Sequence, residues 1–214
     1  MGGFFITFEG GEGSGKSSQI QLLAKHIESH LSKHVPLLSR EPGGTESAES
    51  IRQLLVTGRA DRWQAATEAM LMSASRHEHV VHVLRPALEA GRIVICDRYN
   101  DSTRVYQGLV GGVPHDHIEA LNRLACGDLV PDLTLLLDMD VDEGLRRAGA
   151  RATAESRFES KGADFHRKVR QAFLDLAGRE SERFVVIDAG RDIDAVALGI
   201  AAVVMPRLTA AGFS

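Results

Sequence analysis

Residues Gly10-Gly11-Glu12-Gly13-Ser14-Gly15-Lys16-Ser17 constrain this chain more than any other stretch. They fit the pattern G-x-x-x-x-G-K-[ST] and lie between an apolar run, Phe4 to Phe8, and a segment in which Ile20, Leu23, Ala24, Ile27 and Leu31 recur at helical spacing. Strand, glycine-rich turn and amphipathic helix in that order form an anion cradle. Glycines let successive backbone N–H groups converge on phosphate oxygens, the helix N-terminus adds its dipole, and Lys16 brings a point charge. Ser17 is the expected hydroxyl ligand to Mg²⁺, with Ser18 beside it at the helix start. A dinucleotide-binding turn is excluded by spacing, because after Gly11-x-Gly13 the third glycine's place is taken by Lys16.

Strand-like and helix-like segments alternate along all 214 residues, and no repeat, low-complexity tract or linker divides them. A single α/β domain follows, a P-loop NTPase-like five-stranded parallel sheet flanked by helices. The expected strands are Phe4 to Phe8, Pro36 to Leu38, Ile93 to Cys96, Leu133 to Leu137 and Phe184 to Ile187, short apolar runs suited to burial on both faces. A long helix is expected from about Ala65 to Ala90, ended by Gly91 and kinked by Pro86. With 25 basic and 29 acidic residues the net charge is −4, which offers no global field for nucleic acid. No apolar run approaches the ~18–20 residues that cross a bilayer. Two isolated cysteines, Cys96 and Cys126, fit a reducing compartment, and the chain reads as cytoplasmic.

The metal's second ligand is sought at strand ends, where Asp97, Asp138 and Asp188 all stand. Pattern alone does not separate them, although Arg98 beside Asp97 favours that residue as the partner of Ser17. Arg40-Glu41-Pro42-Gly43-Gly44-Thr45 puts an arginine and a tight turn at the same sheet edge. Arg146, Arg147, Arg151, Arg157 and Lys161, interleaved with small residues, read as a basic lid over about residues 146–161. His77-Glu78-His79 lacks the i, i+4 spacing of a helical zinc site.

Phe8-Glu9-Gly10 to Ser17, Arg40 to Thr45, Asp97-Arg98-Tyr99, Ser102, Tyr106-Gln107-Gly108, Pro131-Asp132-Leu133 and Arg157-Phe158-Glu159 together resemble the ordered motif set of bacterial thymidylate kinases. The resemblance spans nearly the whole chain. It implies ATP and Mg²⁺ as cofactors, dTMP as acceptor, no nucleic-acid or membrane partner, and a homodimer. It further implies that residues 10 to 18 hold the ATP phosphates, that Arg40 and Arg98 hold the phosphate of dTMP, and that Ser102 belongs to the acceptor site. By the same resemblance Arg76 reaches the thymine edge, Gln107 lies by the base, Tyr106 crowds the 2′ position and Arg191 lies beside adenine. Because the loop carries Glu12 and no arginine, the chain resembles the kind whose catalytic arginine comes from the lid, with Arg151 and Arg157 as candidates and Arg147 in reserve.

Physical reasoning agrees with such a reaction. A phosphate acceptor is already an anion at neutral pH, so transfer needs in-line positioning and charge neutralisation more than a general base. The chain departs from the resemblance at Met72, where family members usually carry a phenylalanine that stacks on thymine, and at Ser156, where an acidic residue is common. Another nucleoside monophosphate or deoxynucleoside kinase, or a P-loop ATP-binding regulatory module, are the competing readings.

Overall fold

The computed structural model describes residues 2–149, 157 and 161–214. Five strands, β1 (Phe4–Gly10), β2 (Leu37–Arg40), β3 (Ile93–Asp97), β4 (Leu133–Asp138) and β5 (Phe184–Asp188), form one sheet in the order β2-β3-β1-β4-β5. All four pairings are parallel. Each expected strand is present and runs one or two residues further at the carboxyl end, so that Gly10, Arg40, Asp97, Asp138 and Asp188 all stand on one edge. Since β1 has β3 on one side and β4 on the other, the chain's connections diverge at its carboxyl end, which opens a crevice there.

β1 is buried throughout because helices cover both faces. Its even residues, Phe4, Ile6 and Phe8, pack with Ile20, Leu23 and Ile27 of α1 (Lys16–His30) and with Val196, Ile200 and Val204 of α9 (Ile193–Ala210). Phe5 faces the other way, towards Val80, Leu84 and Ala125. α9 is long and apolar enough by length and composition to cross a bilayer, which corrects the expectation that no run qualifies. Part of its apolar content faces the sheet core, where Val196, Ile200, Val204 and Leu208 form one stripe, while Ile193 and Leu198 are exposed.

The expected helix over residues 65–90 is broken into three parts. α3 (Ala65–His79) passes into a π-helical turn over Val80–Leu84 and then α4 (Arg85–Glu89). Pro86 has no N–H to donate back into the preceding turn, and the wider turn just before it absorbs that loss; Gly91, at φ 72°, ends the run as expected. The remaining helices are α2 (Glu46–Val56), α5 (Asn100–Thr103), which continues as a π-helical turn over Arg104–Val110, α6 (His115–Cys126), α7 (Val141–Gly149) and α8 (Gly162–Arg179). Thr45 caps α2, its side chain accepting from the Ala48 N–H, which fixes the turn after β2.

Candidate active site

The loop between β1 and α1 adopts the cradle its glycines predict. Gly15 lies in the left-handed region at φ 88° immediately before α1. Gly13, at φ 71°, passes so close to α7 that a Cβ there would overlap the Gly144 carbonyl. Lys16 folds back into the loop, its Nζ donating to the carbonyls of Gly10 (3.1 Å) and Gly11 (2.9 Å) and to Ser14 Oγ (3.3 Å). Burial, together with the nearby Arg98 guanidinium, lowers its pKa below the ordinary lysine range, against the pull of Asp97, Glu12 and Glu9. The ammonium is held by acceptors that phosphate oxygens can replace.

Three strand-end aspartates compete for a metal, and their surroundings separate them. Asp138 is engaged at both oxygens by Arg170 (2.7 and 2.8 Å), and Asp188 Oδ1 caps the Gly190 N–H (3.0 Å). Asp97 Oδ2 accepts from Ser17 Oγ at 3.2 Å, while its Oδ1 is buried without a hydrogen-bond partner. Mg²⁺ takes one or two protein oxygens and fills its other positions with phosphate and water. Ser17 and Asp97 fit that demand.

A cavity of about 260 Å³ opens from the loop along the sheet edge towards α2 and α3. Glu12, Ser14, Lys16, Ser17 and Asp97 line one end of it, and Met72, Arg76 and Gln107 the other, with Arg40, Arg98, Ser102 and Tyr106 also in its wall. Arg98 is the only described non-glycine residue at positive φ (67°), the kind of strained backbone that persists where surroundings fix it. Its Nη2 pairs with Glu12 Oε1 at 2.8 Å, its Nη1 donates to Ser102 Oγ at 3.2 Å, and its guanidinium lies 5.3 Å from the Tyr106 ring centre. For Glu12, burial pushes the pKa up, yet Arg98 and Lys16 outweigh it and hold the carboxyl below the usual range. Arg40 is exposed at the mouth and pairs with Glu49 of α2 at 3.1 Å.

Two buried carboxylates outside the sequence expectations hold this end together. Glu9, fully buried on β1, accepts from the N–H groups of Tyr99 (2.9 Å) and Ser102 (3.2 Å) and from Ser102 Oγ (2.7 Å). Burial pushes its pKa up to about 7, with Arg98 opposing. Glu41 accepts from Arg76 Nε at 2.7 Å and lies 3.0 Å from His79 Nδ1. Arg76 is itself 1% exposed; Nη2 donates to Tyr99 O and Thr103 Oγ1 (both 3.1 Å), and Nη1 has no hydrogen-bond partner. A charged residue in an apolar strand was the signal for Glu9. Arg52 of α2, in the cavity wall with Nη1 donating to Pro42 O at 2.8 Å, carried no comparable signal.

Not every expected site residue reaches the cavity. Arg157 is buried elsewhere, donating to the carbonyls of Leu55, Arg59 and Ala60 and paired with Glu68 of α3. Those carbonyls end a helix and begin its loop, and a guanidinium with five donors satisfies them, so the side chain is fixed away from the phosphate loop. Arg151 and Ser156 lie outside the described residues, as does most of the expected lid. Arg146 and Arg147 end α7, both paired with Glu143 (2.8 and 2.6 Å). Ser18 and Arg191 are exposed and do not line the cavity; Gly10 and Gly11 border a smaller recess beneath the loop with Asp138 and Arg170.

Comparison with known proteins agrees with this geometry. The family model described as thymidylate kinase matches residues 8–200. The thymidylate kinase of Caulobacter vibrioides is 51% identical over 206 residues, covering 96% of this chain and 98% of that protein. That of Ruegeria pomeroyi is 47% identical, covering 96% of each. The crystal structure of thymidylate kinase from Ehrlichia chaffeensis superposes with a TM-score of 0.77 at 34% identity, covering 95% of this chain and 99% of that one. The phosphate loop, the cavity beside it and these likenesses place the chain in the thymidylate kinase family.

Proposed function

We propose that this chain transfers the γ-phosphoryl group of ATP to dTMP, giving dTDP and ADP. The observation that carries this reading is the continuity of the cavity. A nucleotide switch needs only the phosphate loop, whereas here the same wall runs on past Arg40 and Arg98 to a second pocket at Met72, Arg76 and Gln107. In this reading the loop N–H groups and Lys16 receive the ATP phosphates, while Arg98, with Arg40 at the mouth, receives the phosphate of dTMP. Ser17 and Asp97 would hold Mg²⁺, which supplies charge neutralisation and orients phosphate oxygens. Two anions must meet at the loop, and the arginines offset their repulsion while Tyr106 and Glu12 fix the Arg98 guanidinium. Arg151, with Arg147 in reserve, remains the proposed lid arginine, and Arg191 the proposed neighbour of adenine.

A homodimer accords with exposed Met70 on α3 and Leu124 on α6, two helices packed on each other. A cytoplasmic location accords with the free thiols of Cys96 and Cys126. Turnover with dTMP, dUMP, dCMP, dGMP and thymidine, followed by ADP release with and without Mg²⁺, tests the assignment. The expected order puts dTMP first; preference for a purine or cytidine monophosphate, or for thymidine itself, would overturn it.

A further inference from the structure

Glu68, in the first turn of α3, is 2% exposed and is not among the residues that line the cavity. A carboxylate in such a place carries a desolvation cost that an apolar side chain would avoid, so its partners explain its presence. One oxygen, Oε1, faces Arg157 and, at 3.6 Å, Lys161. The other, Oε2, accepts from Gln107 Nε2 at 3.0 Å.

That second bond determines which end of the Gln107 amide meets the cavity. A carboxylate only accepts, so the amide nitrogen must face Glu68, and Oε1 is left for the cavity that Gln107 lines. In the same wall Arg76 Nη1 is a buried donor without a partner. The pocket therefore presents one donor and one acceptor. A ring carbonyl next to an N–H, as in the 4-oxo and N3–H edge of thymine or uracil, satisfies both. Cytosine presents an amino group and a bare ring nitrogen, which reverses both and leaves buried groups unpaired.

We propose that Glu68 is a positioning residue for base selection: with Arg157 and Lys161 as its counter-charges, it locks the Gln107 amide so that the pocket accepts an oxo-pyrimidine edge and refuses an amino-pyrimidine one. This rests on the proposed dTMP phosphorylation. It also gives Arg157 a task other than contact with the transferring phosphoryl group.

The test is steady-state kinetics with dTMP, dUMP and dCMP on the full chain. In Glu68→Gln either end of either amide can turn to the other, so the ratio of kcat/KM for dTMP over dCMP should fall ~10-fold or more, the cost of one mispaired hydrogen bond in the pocket. The loss should sit in KM for dTMP, with KM for ATP unmoved. The dTMP-over-dUMP ratio should hold, because both bases offer the same edge. In a Gln107→Met background, where no amide remains to orient, adding Glu68→Gln should leave the dTMP-over-dCMP ratio where Gln107→Met put it. A purely structural Glu68 would lower all substrates together and add to Gln107→Met, and either result overturns the proposal. Should Glu68→Gln fail to fold, Glu68→Asp keeps the charge but withdraws it from Gln107; a ratio equal to that of the parent chain overturns the proposal. A parent chain that does not phosphorylate dTMP overturns the functional reading instead, before any variant is compared.

Discussion

The two ends of the cavity are built in opposite ways. At the loop end, eight consecutive residues, from the last of β1 to the second of α1, supply the backbone donors, the ammonium and the hydroxyl, and their geometry follows from glycine conformations and a helix start. At the other end, which the proposed function assigns to the base, Met72 and Arg76 come from α3 and Gln107 from the π-helical turn after α5, with Arg98, the residue after β3, on the way to it; Arg98, Arg76 and Gln107 are each held by a buried carboxylate from another element. Glu9 holds the chain around Arg98, Glu41 holds Arg76, and Glu68 holds Gln107. A contiguous cradle tolerates change outside itself. A pocket of side chains in series inherits every fault in the groups behind it.

The loop end breaks most completely. Lys16→Ala should lower kcat ~10³–10⁵-fold, the scale on which single cations act on a transferring phosphoryl group. Lys16 bonds only to loop atoms, so circular dichroism should show an intact fold. Near-normal turnover in the folded variant would remove the phosphate-loop assignment.

Behind the base end, the next largest effect is on stability. Arg157→Ala strips a buried partner from Glu68 and three carbonyls of their donor, and should cost ~3–5 kcal/mol in urea unfolding. Arg151→Ala, by contrast, should lower kcat at unchanged midpoint, as a lid arginine would. Equal stability losses in both variants, or a normal kcat in Arg151→Ala, would contradict this division of labour.

Glu9 joins the two ends and should give stability a pH signature. Its carboxyl is raised from 4.5 to about 7, so between those values the folded chain binds a proton that the unfolded chain has released. The contribution is complete below pH 4.5 and is lost as pH rises through 7. Relative to Glu9→Gln, which keeps a neutral side chain throughout, the parent chain should therefore lose about 3 kcal/mol over that window. Urea unfolding of both forms at pH 5, 6, 7 and 8 reads the difference, and parallel profiles would refute it.

The same contrast explains what could be read from the amino acids. All five strands, the loop and a disturbance of the long helix at Pro86 are local patterns, and each is where apolar runs, glycines and a proline put it, although the helix is divided by a π-helical turn and not only kinked. Of the buried carboxylates only Glu9, a charge in an apolar strand, is marked in the sequence; Glu41 and Glu68 are illegible because a lone Glu has no periodicity, and what defines them is a guanidinium 35 or 89 residues away in sequence. Arg157 misled for the same reason. Among neighbouring cations in a polar segment it looks mobile, and only the carbonyls at the end of α2 and the start of its following loop show that it is an anchor. Asp97 could be separated from Asp138 only once Arg170, from α8, was seen to occupy the latter.

Met72 offers the smallest change and the finest test of the base end. It sits one helical turn before Arg76, half-buried, in the cavity wall with Val56. A thioether adapts to a pyrimidine face but offers no fixed flat surface, and its three flexible bonds must be ordered on binding. An aromatic ring stacked on a base contributes ~1–3 kcal/mol, so Met72→Phe should lower the KM for dTMP several-fold to about tenfold. Because the ring would contact the base equally in ground and transition states, kcat should change little. Discrimination against dCMP should stay as it was, because a stacking face does not distinguish donors from acceptors and the polar pair at Arg76 and Gln107 is untouched. Kinetics of both forms with dTMP and dCMP separate the contributions: an unchanged or higher KM in Met72→Phe would end the stacking account, and an altered dTMP-over-dCMP ratio would mean that the wall at Met72, and not only the polar edge, selects the base.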